Sequence, residues 1–299
     1  MHRRQVLAYL ALAVIWGCSF VLVLRVVHAF GWVGAVAFRA LVASLILTLL
    51  ALAGRRRLRF GAWQPLAVVG ATTVAGQLVG LSVATPLIGT ALAAIFVGSI
   101  PLFSMVVGHV WGVERVTGPG RLGLVLGFVG IVLLVGFPAA PVTPRFVLGC
   151  AVSLLGAVSA AVGSNYARRH LQAVGSWEQT IGAFLAGGLL TLPLLFAVPV
   201  PAAPVPADYA ALALLAGACS ALAYVLYFRL VAEVGATIAI SVEFLVTVVA
   251  VLVGALLLGE RLSAVQVAGG TTVITGCALV LGLLPPRPAG ATSSGSGPP

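Results

Sequence analysis

Long apolar runs, interrupted by short clusters of Arg, Pro and Gly, set the pattern of the chain. A helix crossing about 30 Å of hydrocarbon needs about 20 apolar residues at 1.5 Å each. Dividing the sequence at its charges, Pro clusters and Gly turns predicts ten such segments: 6–26, 33–53, 64–84, 88–111, 120–137, 146–165, 178–198, 208–228, 236–258 and 264–284. The uncharged stretch 60–113 must hold two of them, with the turn placed at Thr85-Pro86-Leu87-Ile88-Gly89, where Pro and Gly break a helix. The run from Val6 to Leu24 follows a basic start and has the outline of a signal peptide. Its length, about one bilayer span, favours a retained first helix. The residues from Pro285 are mostly Pro, Gly and Ser. They cannot bury a core, so 285–299 is expected to be a disordered cytoplasmic tail.

Composition removes the soluble alternatives. Sixteen basic and six acidic residues make 7% of the 299 charged, 61% are hydrophobic, and the mean hydropathy is +1.20. A soluble domain is about 25% charged. The 36 Gly and 17 Pro have no period that would signal collagen. The net charge of +10 comes from Arg clusters between apolar runs, a membrane-topology signal that gives no reason to expect nucleic acid. Placing the N-terminus inside puts Arg3, Arg4, Arg55, Arg56, Arg57, Arg59, Arg115, Arg121, Arg168, Arg169, Arg229 and Arg287 on the cytoplasmic side, 12 of the 16. Arg25, Arg39, Arg145 and Arg261 remain outside. Both termini are therefore expected in the cytoplasm of a multi-pass inner-membrane protein. Cys18, Cys150, Cys219 and Cys277 each sit in an apolar run without a C-x-x-C pair, so no metal site or disulfide framework is expected.

Sliding the chain on itself by 146 residues superposes Gly89 on Gly235, Gly108 on Gly254, Glu114-Arg115 on Glu260-Arg261, Gly123 on Gly269, Gly130 on Gly276 and Gly136 on Gly282. Each copy holds five segments, an odd number, so the second copy enters the membrane from the opposite side. The expected fold is an all-α membrane protein of ten transmembrane helices in two inverted five-helix repeats, 1–137 and 146–284. Two such halves can rock about a central site, the geometry of alternating access.

The chain resembles an EamA-type member of the drug/metabolite transporter superfamily, nearly throughout up to Leu284. The resemblance rests on Val14-Ile15-Trp16-Gly17-Cys18-Ser19-Phe20, on Phe38-Arg39-Ala40-Leu41-Val42-Ala43, on Pro101 with Glu114-Arg115, and on Gly254 to Ser263 followed by Gly269 and Gly276. It implies a ten-helix exporter or importer of small metabolites with its pathway between the halves near the bilayer centre. The breadth of the family selects no substrate. One departure is Thr247, which pairs with Pro101 where the family often repeats the Pro; a kink there is therefore not assured.

Ionisable groups inside a span cost about 2.5–3.5 kcal/mol even on the lenient insertion scale, which makes each a functional candidate. Glu243 lies about 10 Å into the ninth segment, and its counterpart in the first copy is Val97. Glu243, Thr247, Ala250 and Gly254 form one helical stripe. Glu243 could bind a substrate amine or a coupling proton; the alternative is a structural carboxyl bonded to a neighbouring helix. Arg39, about 9 Å deep from the other side, could recognise a substrate carboxylate or could bond carbonyls structurally. About 10 Å of depth separates it from Glu243, so no direct ion pair is expected. Polar stripes Thr73-Gln77-Gly80 and Ser220-Tyr224-Tyr227 should face a cavity, or else bond between helices. Trp16, Ser19 and Asn165 complete the candidate binding or coupling set. Small residues Gly149, Ser153, Gly156, Ala160 and Ser164 suit one face of the sixth segment to close packing. Glu114 and Glu260 suit helix capping or bonding across a gate.

An intramembrane enzyme would show convergent catalytic groups such as H-E-x-x-H or paired Asp. Asp208 is the single Asp, and a chain without Lys has no Walker A motif. The expectation is a secondary transporter of small metabolites such as amino acids, with possible proton coupling, no cofactor, and a monomeric or homodimeric state in the bilayer. The alternative is multidrug or cation efflux through an aromatic pocket of Trp16, Phe96, Tyr224 and Tyr227.

Overall fold

The computed structural model describes residues 3–61, 63–112, 118–136, 142–201, 203–234, 242–280 and Leu283. Ten helical stretches occur among the described residues: α1 (3–30) and α2 (32–53), α3 (Trp63–Ile88) and α4 (Thr90–Val110), α5 (Gly118–Gly136), α6 (Pro144–His170), α7 (Ser176–Phe196), α8 (206–234), α9 (Val242–Leu258) and α10 (Ala264–Val280). The continuous stretch Arg3–Ala53 that holds α1 and α2, and the apolar parts of α3, α4, α6, α7 and α8, are each long and apolar enough to cross a bilayer, and α5, α9 and α10 are shorter apolar helices. Residues such as Leu52, Val132, Leu155 and Leu256 are exposed on the periphery, where lipid tails replace water.

Two connections are tighter than the sequence suggests. The expected loop between the first two segments shrinks to Gly31, at φ 70° and ψ 167°. Likewise α3 continues through Pro86 to Ile88, and Gly89 alone, at φ 84°, separates it from α4. Positive φ is a conformation Gly adopts without a Cβ clash. α4 is itself interrupted at Gly98-Ser99, just ahead of Ile100-Pro101. Its counterpart α9 runs unbroken past Thr247, so the kink that Pro would bring is absent from the second copy.

The glycines of α5 and α10 demonstrate the inverted symmetry. A Cβ on Gly123 would lie 2.5 Å from the Gly276 carbonyl oxygen, and one on Gly130 would lie 2.6 Å from that of Gly269. Because Gly123 corresponds to Gly269 and Gly130 to Gly276, these are one contact made reciprocally, the signature of a two-fold axis. Pairing 123 with 276 and 130 with 269 makes the helices antiparallel, so the axis lies across them, in the membrane plane.

Close packing recurs where α3 meets α6. A Cβ on Gly80 would lie 2.8 Å from the Gly156 Cα, and one on Gly149 would meet Leu87 and Ile88. The small face of α6 is thus a packing face, and Gly80 of α3 packs against it. The Arg-rich and Pro-rich ends of the bundle are distinct. Arg56 stacks over Trp177 at 4.6 Å at one, and Arg25 pairs with Asp208 at 2.9 Å at the other.

Candidate functional site

Helix α8 carries Ser220, Tyr224 and Tyr227, and it is not regular. Its turns at Gly217–Leu222 are π-helical, a rare geometry often found at functional sites. Leading into that turn, Ala211, Leu212 and Leu215, and Cys219 within it, are buried against Val23, Val26 and Phe30 of α1. A regular helix would bring Leu222 next onto this stripe. Instead Leu222 is 50% exposed, and Ala223 and Tyr227 pack inward against α1 and α9.

The π turn is bonded on two sides. Trp16 of α1 donates Nε1–H to the Cys219 carbonyl at 3.0 Å. Arg39 of α2, buried in the bundle, donates Nε–H to Ser220 Oγ at 2.7 Å, and Ser220 donates its hydroxyl to the Leu215 carbonyl at 3.1 Å. Just beyond the turn, the Trp16 ring meets Tyr224 edge-on at 5.6 Å and lies 5.5 Å from Tyr227. Tyr224 also meets Phe184 of α7 edge-on at 5.0 Å. The Tyr224 phenol lies within electrostatic reach of both Arg39 and Glu243, and the Tyr227 phenol within reach of Glu243.

The result is a polar column running along α8, with Arg39 and Ser220 nearer the Pro-rich end and Glu243 nearer the Arg-rich end. Ser220 and Tyr227 are seven residues apart, about 10 Å of helical rise. Among the described residues Arg39 and Glu243 form no ion pair, as their depths predict. The column combines a carboxylate, three aromatic faces and two phenols. A carboxylate beside aromatic faces attracts a cationic amine, each cation–π contact contributing about 0.5–2 kcal/mol.

Other residues expected at the site are engaged elsewhere. Thr247 is buried between α4 and α9 and donates to the Ala94 carbonyl at 3.3 Å and the Glu243 carbonyl at 2.9 Å. Asn165 is buried in the α4–α6 contact, its Nδ2 facing the Ser104 carbonyl and hydroxyl and the Ala161 carbonyl. Its Oδ1 has no hydrogen-bond partner. Ser19 donates to the Trp16 carbonyl within its own helix. Gln77 is half-buried at the end of a second π-helical turn, Gly70–Gly76, which takes Thr73 and Gln77 out of the regular spacing assumed for them. Phe96 packs with Leu92, Val273 and Cys277, in a different cluster from Trp16. The aromatic group is completed by Phe184, which no local sequence pattern marks.

Glu260 joins the two copies. Its Oε1 accepts from the Thr90 N–H at 2.7 Å and the Thr90 hydroxyl at 3.0 Å, and its Oε2 accepts from the Ala91 N–H at 2.8 Å. This carboxylate from the α9–α10 connection caps α4, whose N-terminal partial charge favours an anion. Val113, Glu114, Arg115, Gly235, Gly282 and the tail 285–299 lie outside the described residues.

Comparisons with known proteins agree with this architecture. The profile of a family described as "EamA-like transporter family" matches residues 3–136 and 147–282. The chain is 28% identical over 301 residues to the "Uncharacterized inner membrane transporter YedA" of Escherichia coli (strain K12), covering 96% of each. It is 28% identical over 270 residues to "Protein PecM" of Dickeya dadantii (strain 3937), covering 89% of this chain and 88% of that one. A solved crystal structure with 18% identity shares the fold at a TM-score of 0.68, covering 95% of this chain and 98% of its own.

Proposed function

Because the chain belongs to the EamA-like transporter family, we propose that it exports small amine-bearing metabolites, amino acids and related compounds, across the inner membrane by alternating access. The supporting observation is the convergence of Trp16 from the first half with Tyr224, Tyr227 and Glu243 from the second. A site shared between two inverted halves is remodelled whenever the halves rock, which opens it to one side and then the other. In this reading Glu243 receives the substrate amine or a proton in exchange, and the aromatic rings seat the rest of the substrate. Arg39 lies beyond Tyr224, where it favours a substrate carboxylate. The halves 1–137 and 146–284 act as the moving bodies. Both termini face the cytoplasm, in keeping with 12 of 16 Arg residues on that side.

The ring cluster favours a second reading, efflux of larger organic cations, because aromatic faces and a carboxylate recognise a cation without needing its carboxyl group. A growth-protection screen distinguishes the two. Cells with and without the protein are challenged with amino acids and their toxic analogues, purines and lipophilic cations. Protection against amino-acid analogues supports the first reading, protection against lipophilic cations alone supports the second, and protection against none contradicts export.

A further inference from the structure

The π turn of α8 decides which residues face the proposed site, and the bonds that hold it come from outside the helix. We infer that Arg39 and Ser220 are positioning residues that lock this turn and thereby aim Tyr224 and Tyr227 at Trp16 and Glu243. The inference rests on the proposed site for its functional meaning, though not for its geometry.

A π turn inserts one extra residue into an α-helix, and one residue corresponds to about 100° of rotation at 3.6 residues per turn. The stripe Leu212, Leu215, Cys219 is followed by buried Ala223, while Leu222 is turned outward and 50% exposed. If α8 relaxed to regular winding, the segment after the turn would rotate by that angle relative to the segment before it. Leu222 would come inward, and the tyrosines would swing away from Trp16.

The lock has three bonded parts. The Leu215 carbonyl accepts from the Ser220 hydroxyl, whose oxygen accepts from Arg39 Nε, and the Cys219 carbonyl accepts from Trp16. Arg39 is fixed in α2 and buried, so moving α2 against α8 pulls directly on the turn. Its counterpart in the second copy is Leu185, which has no donor, so the Arg39–Ser220 bond between the halves has no symmetric equivalent. A movement of the first half could therefore be read out as a change in which α8 residues line the path.

The test uses full-length protein in which Trp32, Trp63, Trp111 and Trp177 are replaced by Phe, leaving Trp16 as the reporter. Ser220→Ala should shift Trp16 emission and raise KM for a transported substrate about tenfold. Deleting Ala218 in that variant removes the extra residue, so a regular helix then presents both tyrosines inward again. The deletion should restore the emission and most of the KM. Arg39→Lys, which keeps the charge but not the Nε donor, should reproduce the shift and serves if Ser220→Ala does not fold. Unchanged emission in folded protein, or a shift that the deletion leaves in place, overturns the inference. Emission that shifts and is restored while transport stays unaffected supports the lock and instead contradicts the site proposed above.

Discussion

The two π turns occupy corresponding places in the two copies, Gly70–Gly76 in α3 and Gly217–Leu222 in α8, yet they are held in different ways. The first is held by close backbone packing. A Cβ on Gly70 would lie 2.6 Å from the Ala183 carbonyl oxygen and 2.9 Å from the Gly187 nitrogen of α7. The second turn is looser around its own glycine, where a Cβ on Gly217 would meet only Ile46 Cδ1 at 3.6 Å. It is held instead by Arg39 and Trp16 side chains. The same geometry thus serves as a rigid packing element in the first copy and as a side-chain-held element next to the proposed site in the second.

Gly70→Ala should have the largest effect. Its new methyl meets backbone on the α7 side, and overpacking of this kind costs about 1–3 kcal/mol. Thermal unfolding in detergent should show a clear loss of stability. Removal of one hydroxyl from each π turn sharpens the contrast. Ser159 donates to the Thr72 carbonyl in the first turn, so Ser159→Ala should cost about 1 kcal/mol and leave transport unchanged. Ser220→Ala should cost a similar amount of stability but also impair transport. Equal transport by the two variants would break the comparison. The smallest effect is expected for Gly217→Ala, which finds ordinary contact distances and removes a helical glycine that disfavours folding by about 0.5–1 kcal/mol. Its unfolding temperature should be unchanged or slightly raised.

Much of the fold was legible because membrane insertion imposes a simple rule of length and apolarity, and all ten expected segments correspond to helices. The repeat was legible because glycines at helix crossings leave no alternative residue, as Gly123 and Gly276 show. The connections were less so, since a single Gly31 or Gly89 at positive φ can replace a loop. Glu243, Trp16, Tyr224 and Tyr227 stood out as polar or aromatic positions in otherwise apolar runs, and the structure brings them together. Gln77 was grouped with Thr73 and Gly80 on the assumption of regular winding, which the first π turn removes. In α8 no local pattern marked the π turn; the exposure of Leu222, at a position that should continue the buried stripe, shows only in the structure. Phe184 and the Glu260 cap come from contacts distant in sequence, and no local pattern announces them.

The central claim is that Glu243 and the rings around it bind the transported substrate. Uptake of a labelled substrate identified by the growth screen, measured in everted membrane vesicles across a pH series for wild type and Glu243→Gln at equal expression, tests it directly. The account predicts that Glu243→Gln loses most uptake or becomes insensitive to pH. Uptake with an unchanged rate and an unchanged pH profile would contradict it.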